Sequence, residues 1–73
     1  MKAYVLIETA AGKTKQVKKA LAKVKGGPAT VEAMDAVTGP YDFIAVVDGS
    51  SLDAIGTIDG VTRTTTCVAM SLS

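Results

Sequence analysis

Apolar residues recur at two different periods along this chain, and the switches between them mark out its elements. Tyr4, Val5, Leu6 and Ile7 form an unbroken apolar run within residues 3 to 8, followed by the turn-prone Ala10, Ala11 and Gly12, which predicts a strand. Val17, Ala20, Leu21 and Val24 then follow the i, i+3, i+4, i+7 spacing of one helix face. Gly26, Gly27 and Pro28 stop that helix, glycine by accepting left-handed dihedrals and proline by lacking the amide hydrogen. Residues 30 to 37 alternate loosely and predict a second, more polar strand, while residues 41 to 47 are the clearest strand in the chain. Thr38, Gly39 and Pro40 lie between them, a three-residue connection that implies a hairpin. Ser50 and Ser51 offer a helix N-cap ahead of Leu52, Ala54 and Ile55, and Gly56 and Thr57 keep this second helix short. Residues 61 to 70 are β-branched enough for a final strand.

The order β-α-β-β-α-β, with right-handed crossovers that each leave room for one intervening strand, predicts an α+β fold. It is the ferredoxin-like βαββαβ plait, an antiparallel sheet of order 4-1-3-2 with both helices on one face. The two central strands are apolar on both sides: Val5 and Ile7 oppose Leu6, and Phe43 and Val47 oppose Ile44 and Val46. Two helices cover only one sheet face. A second copy of the sheet is the simplest cover for the other, so a homodimeric α/β barrel is expected.

Composition sharpens that expectation. With 73 residues the chain is a single domain, 1–73, and chains this short usually need a disulfide, a metal or a partner subunit. One cysteine and no histidine remove the first two, which leaves oligomerisation; no metal and no cofactor are expected. The lone thiol, the early Glu8 in place of a signal-peptide core, and the lack of any apolar run of ~18 residues predict a cytoplasmic chain without a membrane segment. The absence of histidine excludes imidazole acid–base catalysis and Ser-His-Asp triads, so the chain is read as non-enzymatic.

The small net charge of +1 conceals two unlike halves. Residues 1 to 25 carry seven lysines against Glu8, a sum of +6; residues 26 to 73 carry Arg63 against six acids, a sum of −5. Lys13, Lys15, Lys18, Lys19, Lys23 and Lys25 crowd the first helix, whose polar side is read as a solvated face, with an anionic partner or surface as the functional alternative. Arg63 is expected in a structural salt bridge with an acid such as Asp59, and Cys67 as a small buried hydrophobe. Met34 and Met70 are read as packing residues.

A family likeness rests on two segments. Val37 to Phe43, with Thr38, Gly39, Pro40, Tyr41 and Asp42, and then Ile58 to Thr66, with Asp59, Gly60, Arg63, Thr64 and Thr65, resemble the effector-binding (RAM) domain of Lrp/AsnC transcription regulators. The likeness spans nearly the whole chain and includes the first strand and turn, whereas the helix-turn-helix of that family has no counterpart. The resemblance implies a stand-alone form without direct DNA binding. It also implies a homodimer assembled into a higher oligomer, an amino-acid effector held between dimers, and regulation of transcription or amino-acid metabolism, with a full-length Lrp/AsnC regulator as a possible partner. One departure is that residues 51 to 59 are several residues shorter than the family's second helix and its lead-out. The effector site implied by the resemblance falls on Thr38, Gly39, Tyr41 and Asp42 in the hairpin and on Thr64, Thr65 and Thr66 in the last strand. These residue types suit a zwitterion: Asp42 for the ammonium, and threonine hydroxyls with backbone N–H groups near Gly39 for the carboxylate.

Other functions of the plait fit less well. A purely structural oligomerisation module differs from the effector-binding reading only in whether the cleft between dimers is occupied. An RRM-like RNA-binding domain would use Tyr4, Tyr41 and Phe43 to stack bases, but Pro40 and Asp42 replace the basic residue and further aromatics which that module needs. A metal chaperone of this topology needs a Cys-x-x-Cys pair, which is absent. An acylphosphatase-like site lacks its asparagine, and Arg63 lies at the wrong end of the chain.

Overall fold

The computed structural model describes residues 1–72, which form β1 (Lys2–Thr9), α1 (Thr14–Ala22), β2 (Ala29–Ala36), β3 (Phe43–Gly49), α2 (Asp53–Gly56) and β4 (Val61–Val68). All neighbouring strands run antiparallel in the order β2-β3-β1-β4, the expected 4-1-3-2 plait read from the opposite edge. Register decides which side chains share a face. Ala3, Val5 and Ile7 of β1 stand directly opposite Val47, Ala45 and Phe43 of β3, and all six are buried beneath the helices. Val17 and Leu21 of α1 and Ile55 of α2 close this core from above. Each large apolar side chain fully buried there contributes about 1.5–3 kcal/mol.

The alternate residues point the other way, as pleating requires. Leu6 and Ile44 face each other half-buried, and Val46 stands opposite Tyr4, which is 41% exposed. No element of the described residues covers this face, and the molecule is a slab of 41 × 27 × 16 Å. It exposes 4655 Å², whereas a compact monomer of 7.4 kDa exposes about 4200 Å².

Three boundaries differ from the sequence expectation. The hairpin connection is longer, residues 37–42, because Asp42 leaves the β2–β3 ladder and spends its groups on closing the loop. Ser51 does not cap α2: the backbone N–H groups of Ser50 and Ser51 both donate to the Pro28 carbonyl, at 2.8 and 3.2 Å, and Leu52 takes the cap position without a side-chain hydrogen bond. The last strand ends at Val68, since β1 begins at Lys2 and the Ala69 N–H makes the final pairing with the Lys2 carbonyl.

Gly60 joins the two halves. Its φ of +98° suits only glycine, its carbonyl accepts the Ala10 N–H at 2.8 Å, and a Cβ there would lie 2.9 Å from Lys13 Cβ and 3.0 Å from Val17 Cγ2. The first turn of α1 therefore packs directly on the turn that leads into β4.

Candidate functional site

The end of β1 and the beginnings of β3 and β4 meet at one end of the sheet, and the loop of residues 37–42 lies over that end. The loop is closed by the Val37 N–H donating to the Asp42 carbonyl at 2.9 Å, and it turns through Gly39, at φ +119°. Asp42 fixes its exit. The Asp42 N–H donates to the Ile7 carbonyl at 2.8 Å, and carboxylate Oδ2 accepts both the Thr9 N–H at 2.8 Å and the Thr9 hydroxyl at 3.0 Å. The other carboxylate oxygen, Oδ1, makes no hydrogen bond among the described residues.

With the loop held at that point, Tyr41 reaches across the uncovered sheet face to β4. The Tyr41 and Thr65 hydroxyls are 2.6 Å apart, and the Arg63 guanidinium lies 5.0 Å from the centre of the Tyr41 ring. Arg63 stands opposite Glu8 in the ladder and bridges its carboxylate at 3.3 Å, while the Thr62 hydroxyl donates to the same carboxylate at 2.8 Å. All of these contacts are solvent-accessible, so each is worth about 0–1 kcal/mol; together they hold a planar cation, three hydroxyls and an acid in one cluster. Such a set offers donors to a carboxylate and acceptors to an ammonium.

The expected site residues are brought together only in part. Tyr41 and Thr65 touch, and Asp42 is adjacent to Tyr41 in the same loop. Thr38 and Gly39 are exposed on the loop. Thr64 and Thr66 stand opposite Ile7 and Val5, so the pleat turns them to the helix side, away from Thr65. Glu8 and Thr9, which the sequence did not single out, complete the cluster. For Glu8 the signal was the pairing of β1 with β4, which sets it against the lone arginine; Thr9 stands opposite Val61 and had no such signal.

Arg63 makes the expected structural salt bridge, with Glu8 as its acid in place of Asp59, whose carboxylate instead accepts the Gln16 amide at 2.6 Å and lies 4.0 Å from Lys13 Nζ. Two side readings need correction. Met70 does not pack: it lies beyond the end of β4 and is 77% exposed. Cys67 is exposed, because β4 is an edge strand and Cys67 stands opposite Tyr4 on the uncovered face. Phe43 is only 2% exposed, beneath the helices, so it presents no ring for base stacking, and of the three rings in the RNA-binding reading only Tyr4 and Tyr41 face outward. No helix of the described residues is long and apolar enough to cross a membrane.

No protein-family profile matches the chain, and no curated protein sequence is significantly similar to it. Solved structures are similar nearly end to end. The chain superposes on TTHA0845 from Thermus thermophilus with a TM-score of 0.77 and 26% identity, covering 99% of this chain and 95% of that one. It superposes on FFRP-DM1 with a TM-score of 0.75 and 28% identity, covering 94% and 97%, and on the hypothetical protein PHS023 from Pyrococcus horikoshii with a TM-score of 0.72 and 28% identity, covering 97% and 90%. This chain thus shares its fold, and nearly its whole length, with small proteins of the same plait.

Proposed function

We propose that this protein is a non-enzymatic, oligomeric module that binds a small zwitterionic metabolite, an amino acid first of all, and passes that signal to a regulatory partner. The observation that carries the reading is the Tyr41–Thr65 hydroxyl pair beside Arg63, which joins the two segments that resemble the Lrp/AsnC effector-binding domain. A structural neighbour that bears the feast/famine regulatory protein name, FFRP-DM1, supports the regulatory part.

The uncovered sheet face supports the oligomeric part. Leu6, Ile44, Val46 and Tyr4 form its centre, with Lys2 and Asp48 at one end and Glu8 and Arg63 at the other, an apolar middle inside a charged rim. A standard interface takes about 800 Å² per partner, about a sixth of the 4655 Å² that the chain exposes. In this reading two sheets pack face to face, and the Tyr41 cluster at the edge of that contact receives the ligand.

A melting screen against the twenty common amino acids, paired with light scattering, tests both parts. A ligand at about 100 times its Kd stabilises the fold by about 2.7 kcal/mol, which for a domain of this size raises Tm by roughly 10–20 °C. A dimer with no response to any amino acid would leave a purely structural oligomerisation module. A folded monomer would overturn the sheet-packing reading.

A further inference from the structure

Lys15, Lys18, Lys19 and Ala22 recur at the i, i+3, i+4, i+7 spacing of a second stripe on α1, away from the Val17 and Leu21 stripe that enters the core. With Met34 of β2 they line an open groove of about 360 Å³. Its lining is almost wholly apolar, formed by lysine stems with Ala22 and Met34, and none of the three lysines has an acid within 4.0 Å of its ammonium among the described residues. Three like charges beside an apolar lining are the complement of an acidic, partly apolar ligand.

The groove runs beside a free strand edge. β2 is the outermost strand, and the chain returning from α1 covers only its beginning, where the Val31 N–H donates to the Val24 carbonyl at 2.9 Å and the Gly26 N–H to the Thr30 hydroxyl at 2.8 Å. Past the register shift between Val31 and Ala33, residues 33–36 pair with β3 on one side and with nothing among the described residues on the other. Met34 belongs to this free stretch. An extended segment that adds to the edge would send every second side chain to the helix side, into the groove.

We propose that this groove and edge dock an extended acidic segment of a partner protein, of pattern acid-x-apolar-x-acid. The apolar residue covers Met34 and Ala22, and the two acids, about 13 Å apart at the strand rise, meet the lysines of α1. A second copy of this chain is not the occupant. Its acids are Glu8, Glu32, Asp35, Asp42, Asp48, Asp53 and Asp59, and no two are four positions apart. Nucleic acid fits less well, because no aromatic ring lines the groove for base stacking.

The test is fluorescence anisotropy with a labelled nine-residue peptide whose centre reads glutamate, threonine, leucine, threonine, glutamate. Saturable binding is expected, weakened at least tenfold by K15E with K18E, weakened by M34D, and retained by K18R. A peptide N-methylated at alternate amides on the pairing edge is expected not to bind. All the lysines changed are exposed, and circular dichroism checks that each variant is folded. Absence of binding to the parent protein overturns the proposal. So does binding that survives both M34D and N-methylation, which would be charge attraction alone, or tighter binding of a single-stranded oligonucleotide at the same salt.

Discussion

Asp42 is where a binding role and a folding role coincide, and the two separate in a pair of variants. In Asp42→Ala the Thr9 N–H, half-buried at the end of β1, loses its 2.8 Å acceptor and the Thr9 hydroxyl loses its 3.0 Å one. An unsatisfied amide of this kind costs about 1–3 kcal/mol, and the hydroxyl, which keeps the Thr14 hydroxyl at 3.2 Å as a partner, adds little. A loss of about 2 kcal/mol corresponds to a fall in Tm of about 8–16 °C for a domain of this size, against a total stability of roughly 4–11 kcal/mol. Asp42→Asn keeps a carbonyl oxygen where Oδ2 sits and removes the charge, so its Tm is expected within about 4 °C of the parent. If the free Oδ1 meets a ligand ammonium, Asn fails to bind an amino acid that the parent binds, although it remains folded. Paired melting curves and isothermal titrations distinguish the cases. Asn as unstable as Ala would refute the hydrogen-bond reasoning, and Asn that binds as tightly as the parent would remove Asp42 from the ligand site.

Other consequences are open to simple measurements. Gly39→Ala and Gly60→Ala both force a side chain into a positive-φ position, but only Gly60 meets neighbours; Gly39→Ala is expected to cost about 1–2 kcal/mol in denaturant melts and Gly60→Ala clearly more. Equal losses would mean that Lys13 and Val17 yield freely. Val46→Asp charges the middle of the uncovered sheet face without entering the core and is expected to turn a dimer into a folded monomer by light scattering; an unchanged mass would place the contact elsewhere. Thr65→Val removes the partner of the Tyr41 hydroxyl and is expected to weaken amino-acid binding, whereas Thr66→Val, on the opposite face, is expected to leave affinity unchanged. Equal effects on affinity would contradict the division of the threonines between faces.

The strands were legible because period and partner agree. Val5 and Ile7 on one side and Leu6 on the other suffice to make β1 central, and β3 repeats the pattern with Phe43, Val47, Ile44 and Val46. The loop was less legible for a physical reason: Asp42 follows a proline-containing turn and reads as strand, yet its hydrogen bonds reach Ile7 and Thr9, more than thirty positions away. Long-range choices of this kind leave no local trace. The same holds for Ser51, whose capping side chain was the local expectation but whose backbone was already committed to Pro28. Cys67 was misread through composition, since a thiol among β-branched residues resembles a core position until its strand is known to lie at an edge with its face uncovered.

The brevity of α2 bears on how the threonine-rich strand is to be understood. A helix of four residues supplies one large buried side chain, Ile55, and leaves much of the helix side of β4 in water, where Thr66 and Val68 are exposed. A strand wet on both faces needs residues that favour extended backbone and tolerate solvent, and threonine meets both demands. Thr64 and Thr66 are therefore accounted for by the missing cover alone. Thr65 is not: it lies on the other face, and its hydroxyl meets a tyrosine that a loop anchored at Asp42 carries across from the far side of β1. Of the three threonines, only Thr65 thus adds weight to a ligand site, and the functional reading rests on the Tyr41, Thr65 and Arg63 cluster more than on the threonine run.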